Sequence, residues 1–302
     1  MDVVLFVVSL AVTLYAAAIF ASRLDRLGEH LGLPDGIVGL LTAAGADAPE
    51  LATAVVALVR GAHEASFGVV VGASVFNIAT MLGLSALLAG AIVVPRRAAA
   101  VEGGVSFAVI AAVLLYATSV IPAWALVLAC AAVVVPYLVA LARGPRHPRA
   151  EVPHELTRTL LEIPPAVAVI VLGSIGMVHS ALSIAHRAGL SDVLAGTLLL
   201  AVLASLPNAY TGIRLGRRGR GEALLSETTN SNTINLVGGV AVPALVVSYG
   251  FSGLEIADVV WLLAATGVAT VLMSWNGGAG RRVGALFVGS WVAFAGVQGV
   301  FG

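Results

Sequence analysis

The sequence has no lysine and one cysteine, and only 11% of its 302 residues are charged. With 59% hydrophobic residues and a mean hydropathy of +1.02, it has too little polar surface to cover a soluble globule. The single Cys130 has no partner for a disulfide or a cysteine-based metal site. A formal net charge of zero and arginines confined to short loops argue against a nucleic-acid partner. The scarcity of charged residues and the high mean hydropathy indicate that the chain lies in a lipid bilayer.

Long apolar runs recur along the chain. Each run of about 20 residues can cross a hydrocarbon core of about 30 Å as a helix. The polar-apolar alternation typical of membrane strands is missing, which argues against a β-barrel. The first run is longer than a signal-peptide core, so we interpret it as a retained span. We therefore predict an all-α polytopic membrane protein with ten transmembrane helices, at 2–22, 36–60, 66–92, 98–119, 121–142, 160–185, 191–213, 222–249, 254–275 and 283–301.

The arginines predict how these helices are oriented. The polar linker 143–159 divides the chain into two five-helix regions, 1–142 and 160–302. Of the 16 arginines, all but Arg60 and Arg187 lie in the linker or in the loops that follow odd-numbered helices. The positive-inside rule places these segments in the cytoplasm. We expect an inner (plasma) membrane protein with a cytoplasmic linker and both termini extracytoplasmic.

Five helices per half mean that the second half enters the membrane from the opposite side, so a repeat between the halves has to be inverted. Such a repeat is visible at a constant offset of 158 residues, which pairs Pro49 with Pro207 and Asn77 with Asn235. Inverted repeats with interrupted helices at corresponding positions point to a transporter's midplane site. The two motif regions cover about 40–80 and about 198–238.

The first motif region carries two acids and a proline near the middle of the second predicted helix. A charge at membrane depth costs from about 2.5 to more than 10 kcal/mol, so it persists mainly where it has a partner or a function. Pro49 leaves the carbonyl oxygen of Gly45 without its helical donor. Asp47 and Glu50 are three residues apart and share a helix face. Hard oxygen ligands of this kind suit Na⁺ or Ca²⁺.

The second motif region repeats the arrangement with neutral oxygens, at Ser205 and Asn208 beside Pro207. Serine and asparagine also join membrane helices, and proline also kinks them. Four polar clusters at symmetric positions nevertheless favour a site. Glu227 either reaches the vestibule of this cavity or only extends to the membrane interface. Helices 3 and 8 add further oxygen ligands to the predicted ring, at Ser74, Asn77, Ser231, Asn232 and Asn235.

At these residues the sequence resembles the calcium/cation antiporter superfamily, which includes the sodium/calcium exchangers and their prokaryotic relatives. The family repeats read roughly G-T-S-x-P-E and then G-S-N-x-F-N. Here residues 45–50 read GADAPE and 72–77 read GASVFN, while 203–208 read LASLPN and 230–235 read NSNTIN. The spacing from the acid position to the asparagine is 27 residues in both repeats. The resemblance covers nearly the whole chain.

The resemblance implies a set of ion ligands and a mechanism. In the mechanism, the first and sixth helices slide across the ligand core to alternate access. The chain departs from the family at Asn208, where an acid is usual, and Asp47 stands where serine is common. The implied ligands are Glu50, Asn77, Asn208 and Asn235, flanked by Ser205, Ser231 and the backbone carbonyls near Ala43 and Ala201.

We therefore predict a secondary active antiporter, not an enzyme, that exchanges Ca²⁺ for Na⁺ or H⁺ and needs no cofactor. The alternative is a monovalent cation antiporter of the Na⁺/H⁺ type that does not carry Ca²⁺. A membrane-embedded aspartyl protease is disfavoured, because its two acids lie on facing elements, whereas Asp47 and Glu50 lie on one predicted helix. The expected partners are the lipid bilayer and inorganic cations, and we expect a monomer.

Overall fold

The computed structural model describes residues 2–144 and 153–301, which form an almost entirely helical fold. In the described part of the chain, seven single helices can cross a bilayer. Two pairs of shorter helices can each form one more span if the pair is joined across its bend, which gives as many as nine spans. The chain is a multi-pass helical membrane protein. Seven single helices are long and apolar enough to cross a bilayer, at Asp2–Gly28, His63–Ala89, Arg96–Ala117, Ala123–Ala142, Leu156–Arg187, Gly253–Asn276 and Arg281–Val300.

The elements of the first half are mostly helices separated by short turns. A π-helical turn, Ile78–Leu84, joins α4 to α5 without a break. In order they are α1 (Asp2–His30), α2 (Asp35–Ala46), α3 (Ala48–Val59), α4 (His63–Asn77), α5 (Ser85–Ala89), β1 (Ala91–Val93), α6 (Arg96–Ala117) and α7 (Ala123–Ala142).

The second half has a similar order of elements. A π-helical turn, Ala195–Leu200, joins α9 to α10, and another, Val237–Ala241, extends α12 toward a 3₁₀ turn at Pro243–Leu245. The elements are α8 (Pro153–Arg187), α9 (Asp192–Leu194), α10 (Ala201–Ala204), α11 (Leu206–Arg217), α12 (Gly221–Leu236), α13 (Gly253–Asn276), β2 (Gly278–Gly280) and α14 (Arg281–Phe301).

Two predicted spans, each with a proline near its middle, are broken. The predicted helix 36–60 bends by 53° between α2 and α3, and the predicted helix 191–213 bends by 47° between α10 and α11. The residues at the breaks, Asp47 and Ser205, are themselves 158 apart. Each break is followed two residues later by a proline, which lacks the N–H needed to continue the helical ladder. The bends therefore have the same local cause.

Several predicted boundaries are also corrected. The first helix continues past residue 22 to His30, and the third ends at Ala89, before the strand β1. The eighth helix ends by Leu245 instead of 249, because Pro243 starts a 3₁₀ turn. Helix α8 begins at Pro153, inside the predicted linker, and residues 145–152 of that linker lie outside the described ranges. Proline is well tolerated in a first helical turn, where its missing N–H has no helical acceptor.

The longest helix pair is α1 with α8, which run antiparallel. The side chains of Arg23 and Glu162 form an ion pair near one end, and Arg187 binds Asp2 at 2.9 Å at the other. Between these contacts Gly176 allows close approach, since a Cβ there would lie 2.1 Å from the Ser9 hydroxyl oxygen. Small residues at such contacts are the usual means of packing membrane helices.

Helix α4 lies at the centre of the fold, and its residues from Ala65 to Asn77 are all buried. It passes so close to the π turn of the second half that a Cβ on Gly72 would lie 2.5 Å from the carbonyl oxygen of Thr197. Helix α12 is also largely buried but is too polar to qualify as an apolar span. Both central helices thus expose polar groups to protein instead of lipid, which lowers the cost of burying them.

Candidate functional site

The break between α2 and α3 holds the two acids of the first motif. Asp47 and Glu50 are 0% and 1% exposed. Asp47 is the break residue itself, and Glu50 lies in the first turn of α3. The free N–H groups at the start of a helix carry partial positive charge, which favours a carboxylate there. The break therefore provides a backbone environment that a charge in the middle of an uninterrupted helix would lack.

Asn208 joins both acids across the boundary between the two halves. It lies in the first turns of α11, directly after the second break. Its side-chain Nδ2 donates to Asp47 Oδ1 at 2.8 Å and to Glu50 Oε1 at 3.0 Å. One amide nitrogen thus holds the two carboxylates together, in a pair of charge-assisted hydrogen bonds.

Helix α12 supplies two further contacts to the same acids. The Ser231 hydroxyl donates to Asp47 Oδ1, and the amide nitrogen of Asn235 donates to Glu50 Oε2. Ser231 and Asn235 are four residues apart and so share a helix face. Each acid is therefore contacted from both α11 and α12.

Helix α4 closes the ring on the remaining side. Asn77 Nδ2 donates to Ser231 Oγ at 3.1 Å and to Asn232 Oδ1 at 3.3 Å. Asn232 Nδ2 in turn donates to the backbone oxygen of Ser74 at 3.1 Å. The structure thus brings the two asparagine motifs into contact, as the sequence predicted for a polar ring.

Four oxygens in this cluster lack a donor. Among the described residues, no hydrogen-bond partner lies within reach of Oδ2 of Asp47 or of Oδ1 of Asn77, Asn208 and Asn235. Their side chains are at most 1% exposed. Leaving a buried polar atom unpaired costs about 1–3 kcal/mol, so four together are strong grounds for expecting a bound group. Oxygen acceptors without donors fit a cation.

The predicted secondary ligands are less directly placed. The carbonyl of Ala43 accepts the Asp47 N–H at 2.9 Å, and the carbonyl of Ala201 accepts the Ser205 hydroxyl at 2.8 Å. Both carbonyls lie one helical turn before a break. The Ala43 oxygen has a second lone pair available, whereas the Ala201 oxygen also accepts the Ser205 N–H at 3.1 Å. They therefore border the site instead of adding unpaired oxygens to it.

Other acids lie along α12. Glu227 lies four residues before Ser231 on α12 and so shares the helix face that contacts Asp47. On sequence grounds Glu102 of α6 is a structural acid favoured by the dipole at a helix start; its carboxylate accepts from Ser226 at 2.7 Å and from Thr229 at 3.4 Å. Its position near a helix start gave no signal of these contacts.

The donor set is made of hard oxygens. Within 2–144 and 153–301, no three residues among His, Cys, Asp and Glu are grouped to hold a metal ion. The cluster instead combines two carboxylates with neutral amide and hydroxyl oxygens. This composition suits Na⁺ or Ca²⁺ and is unsuited to soft transition metals.

A buried oxygen cluster at the breaks of two helices in a multi-pass fold is the architecture of an ion-carrying membrane transporter. Comparison with known families agrees with this class. The pattern of the sodium/calcium exchanger protein family matches residues 1–143 and 165–300. The chain belongs to this family.

The individual relatives that match most of the chain have low sequence identity to it. The chain is 24% identical to "Putative antiporter CaxA" of Alkalimonas amylolytica over 91% of this chain and 90% of that protein. It is 25% identical to "Inner membrane protein YrbG" of Escherichia coli over 96% and 94%, respectively. The structure of a protein described as the H⁺/Ca²⁺ exchanger CAX has a TM-score of 0.81 at 14% identity, covering 100% of this chain and 82% of that one. At this low identity, the structural similarity shows that the two proteins share a fold.

Proposed function

We propose that this protein is a secondary active antiporter that exchanges Ca²⁺ for Na⁺ or H⁺ at the cluster around Asp47 and Glu50. The observation that carries the proposal is the set of four buried oxygens without donors beside two carboxylates. Ca²⁺ takes six to eight oxygen ligands, including amide oxygens. We expect a cation to bind the unpaired oxygens and to reorganise the hydrogen bonds of Asn208.

The formal charge of the cluster supports exchange. Asp47 and Glu50 together balance one divalent cation or two monovalent ones. The same two carboxylates can then hold Ca²⁺ on one half of the cycle and Na⁺ or protons on the other. Competition for one site couples the two ions provided that the empty protein does not change its access, since each ion can bind only after the other has left.

Alternating access would come from the α1–α8 pair. Ion pairs at both ends tie the two helices together, while the hydroxyl groups of Thr53 and Ser174, 3.3 Å apart, are a point of contact between α8 and α3. We propose that α1 and α8 move as a unit across the α2–α3 and α10–α11 breaks. One hydroxyl contact is weak enough to be exchanged during such a movement.

We propose further that the chain has ten spans in two inverted repeats, 1–142 and 160–302, joined by a cytoplasmic linker at 143–159. The ten are the seven single spans, the two bent pairs and α12 with its π extension. The equivalent breaks at Asp47 and Ser205 support the repeat. The arginine distribution supports extracytoplasmic termini, and the name of the Escherichia coli relative supports an inner-membrane location.

The decisive test is Ca²⁺ uptake into proteoliposomes under an imposed Na⁺ or H⁺ gradient. Uptake driven by one gradient and not by the other identifies the counter-ion. Empty liposomes and liposomes without a gradient are the controls. If neither gradient drives uptake of Ca²⁺, the proposal of Ca²⁺ exchange is wrong.

The second candidate is a monovalent cation antiporter. It is favoured by one observation, namely that Asn208 and Asn235 contribute amides where an acid would strengthen divalent binding. In that case a Na⁺ gradient would change the internal pH of the same proteoliposomes, and Ca²⁺ would neither be transported nor inhibit the exchange.

A further inference from the structure

A second buried acid lies away from the ion cluster, between α13 and α14. Asp258 lies in the second turn of α13 and is 3% exposed, and Gln298 is close to the end of α14 and is 0% exposed. Neither residue belongs to the repeat motifs. The proposed antiport function therefore does not explain why an acid is buried here.

The hydrogen bonds of this pair are incomplete in a specific way. The amide nitrogen of Gln298 donates to Asp258 Oδ1. Oδ2 of Asp258 and Oε1 of Gln298 are both buried and, among the described residues, have no partner. Both of these oxygens are acceptors without a donor. The atom that would complete the pair is a hydrogen on one of the two oxygens.

The surrounding charges do not stabilise an ionised carboxylate. Glu255, one turn earlier on α13, repels Asp258, and Glu64 on α4 repels Glu255. No described arginine or histidine forms an ion pair with Asp258. On α4, the His63 ring packs edge-on against Tyr249, with 6.3 Å between the ring centroids. The charged residues of the other packed helices, Arg96, Arg97 and Glu102 of α6 and Arg281 and Arg282 of α14, lie toward the opposite end of α13, which is about 27 Å long between Asp258 and Asn276.

We propose that Asp258 and Gln298 form a proton-binding site, in which a protonated Asp258 pairs with the amide through two hydrogen bonds. The proton resides on Oδ2 and is donated to Oε1 of Gln298, while Nε2 of Gln298 donates to Oδ1. A protonated carboxyl group has one O–H donor and one acceptor oxygen, which match the acceptor and donor of an amide. One proton thus satisfies both unpaired atoms and removes a buried charge.

The site has a consequence for the helix pair. Loss of the proton leaves a buried carboxylate beside Glu255 and facing the oxygen of Gln298, so alkaline pH weakens the contact between α13 and α14. Asp258→Asn supplies a permanent donor in place of the O–H and preserves the two-point pairing. This variant therefore distinguishes the effect of the titratable proton from the effect of side-chain packing.

Infrared spectroscopy of the purified full-length protein tests the site directly. At neutral pH the wild-type spectrum should contain the carbonyl band of a protonated carboxylic acid that is lost in Asp258→Asn. The same difference should persist when both proteins carry Asp47→Asn and Glu50→Gln, which removes the carboxyls of the ion cluster from the comparison. In Gln298→Met the band should remain and move to higher frequency, because its carbonyl loses a donor.

Melting temperature against pH gives an independent measurement. Wild type should lose stability at alkaline pH, and Asp258→Asn should lose less over the same range. Equal spectra for wild type and Asp258→Asn would overturn the proposal. So would a Na⁺-dependent rise in melting temperature that Asp258→Asn abolishes, which would indicate a cation site. If Asp258→Asn does not fold, an unshifted band in Gln298→Met overturns the pairing.

Discussion

Asn208 donates a 3.0 Å hydrogen bond to Glu50, and the two residues are separated by 158 positions, the offset of the sequence repeat. The bond from Asn232 to the carbonyl of Ser74 spans the same 158 positions. Equivalent points of the two motif regions therefore face each other at the centre of the molecule. Because one partner of the first pair is an acid and the other an amide, the ring is symmetric in position and asymmetric in charge.

Removal of the Glu50 charge should abolish divalent transport. Glu50→Gln leaves Asp47 as the only acid of the ring, and one carboxylate cannot balance a divalent cation in a buried site. Asp47→Asn likewise leaves one acid, Glu50, so it should also abolish divalent transport, with Ca²⁺ affinity lowered by at least about tenfold, equivalent to about 1.4 kcal/mol. The measurements are gradient-driven Ca²⁺ flux and Ca²⁺ affinity.

The matched control for this change is Glu64→Gln, the same substitution at an exposed position on α4, which should transport like wild type. Unchanged divalent flux in Glu50→Gln would remove this cluster as the transport site.

An acid at position 208 should strengthen the response to Ca²⁺ and weaken the empty protein. Asn208→Glu removes the donor shared by Asp47 and Glu50 and places a third carboxylate beside them, so like charges repel when no cation is bound. We expect a lower melting temperature in chelator and a larger rise on addition of Ca²⁺ than in wild type. Asn208→Gln keeps the amide and is the control. A Ca²⁺-induced rise no larger than that of wild type would contradict the proposed geometry.

The close contact of α1 with α8 should not tolerate an added methyl group. In Gly176→Ala the new Cβ would lie 2.1 Å from the Ser9 hydroxyl oxygen and 3.0 Å from Ser9 Cβ, so the hydroxyl has to rotate away and the two helices have to shift slightly apart. Overpacking of this kind costs about 1–3 kcal/mol. Gly296→Ala on α14, where no atom lies within 4 Å of the new Cβ, is the control. Thermal unfolding in detergent should show a loss for the first variant alone, and equal melting temperatures would argue against a tightly packed pair.

The arginine distribution predicts that Gly144 and Val120, which flank α7, lie on opposite sides of the membrane. In a Cys130→Ala background, single cysteines at these positions should react with an impermeant thiol reagent from opposite faces of sealed vesicles. Val120 is 66% exposed, so its accessibility is not limited by protein packing. Labelling of Gly144→Cys from the extracytoplasmic side would contradict the proposed orientation.

The sequence was most informative at residues whose placement inside a membrane helix costs the most free energy. A carboxylate or a proline inside an apolar run is expensive at membrane depth, so Asp47, Glu50 and Pro49 stood out without any coordinates. The offset of 158 then extended the inference to Ser205 and Asn208. The family was recognised from these same residues and is confirmed by the match of its pattern to both halves of the chain.

Helix ends and breaks were less accessible. Hydropathy reports how apolar a run is and contains no direct signal for a bend. Pro49 and Pro207 indicated interrupted helices, but the position and the angle of each bend came from the structure. The eighth predicted span, in contrast, contains a helix, α12, that is too polar to qualify as an apolar span. Its polar residues face protein, and only the surrounding helices make a largely buried position for α12 possible.

The sequence by itself determined the membrane class, the approximate runs and the chemical types of the candidate ligands, because these depend on the transfer free energies of individual side chains. Tertiary structure decided which atoms meet. The contact of the Asn208 amide with both acids depends on the rotation and depth of the helices. So does the contact between Asp258 on α13 and Gln298 on α14. Those are fixed by packing among segments far apart in the chain, and local sequence patterns do not encode them.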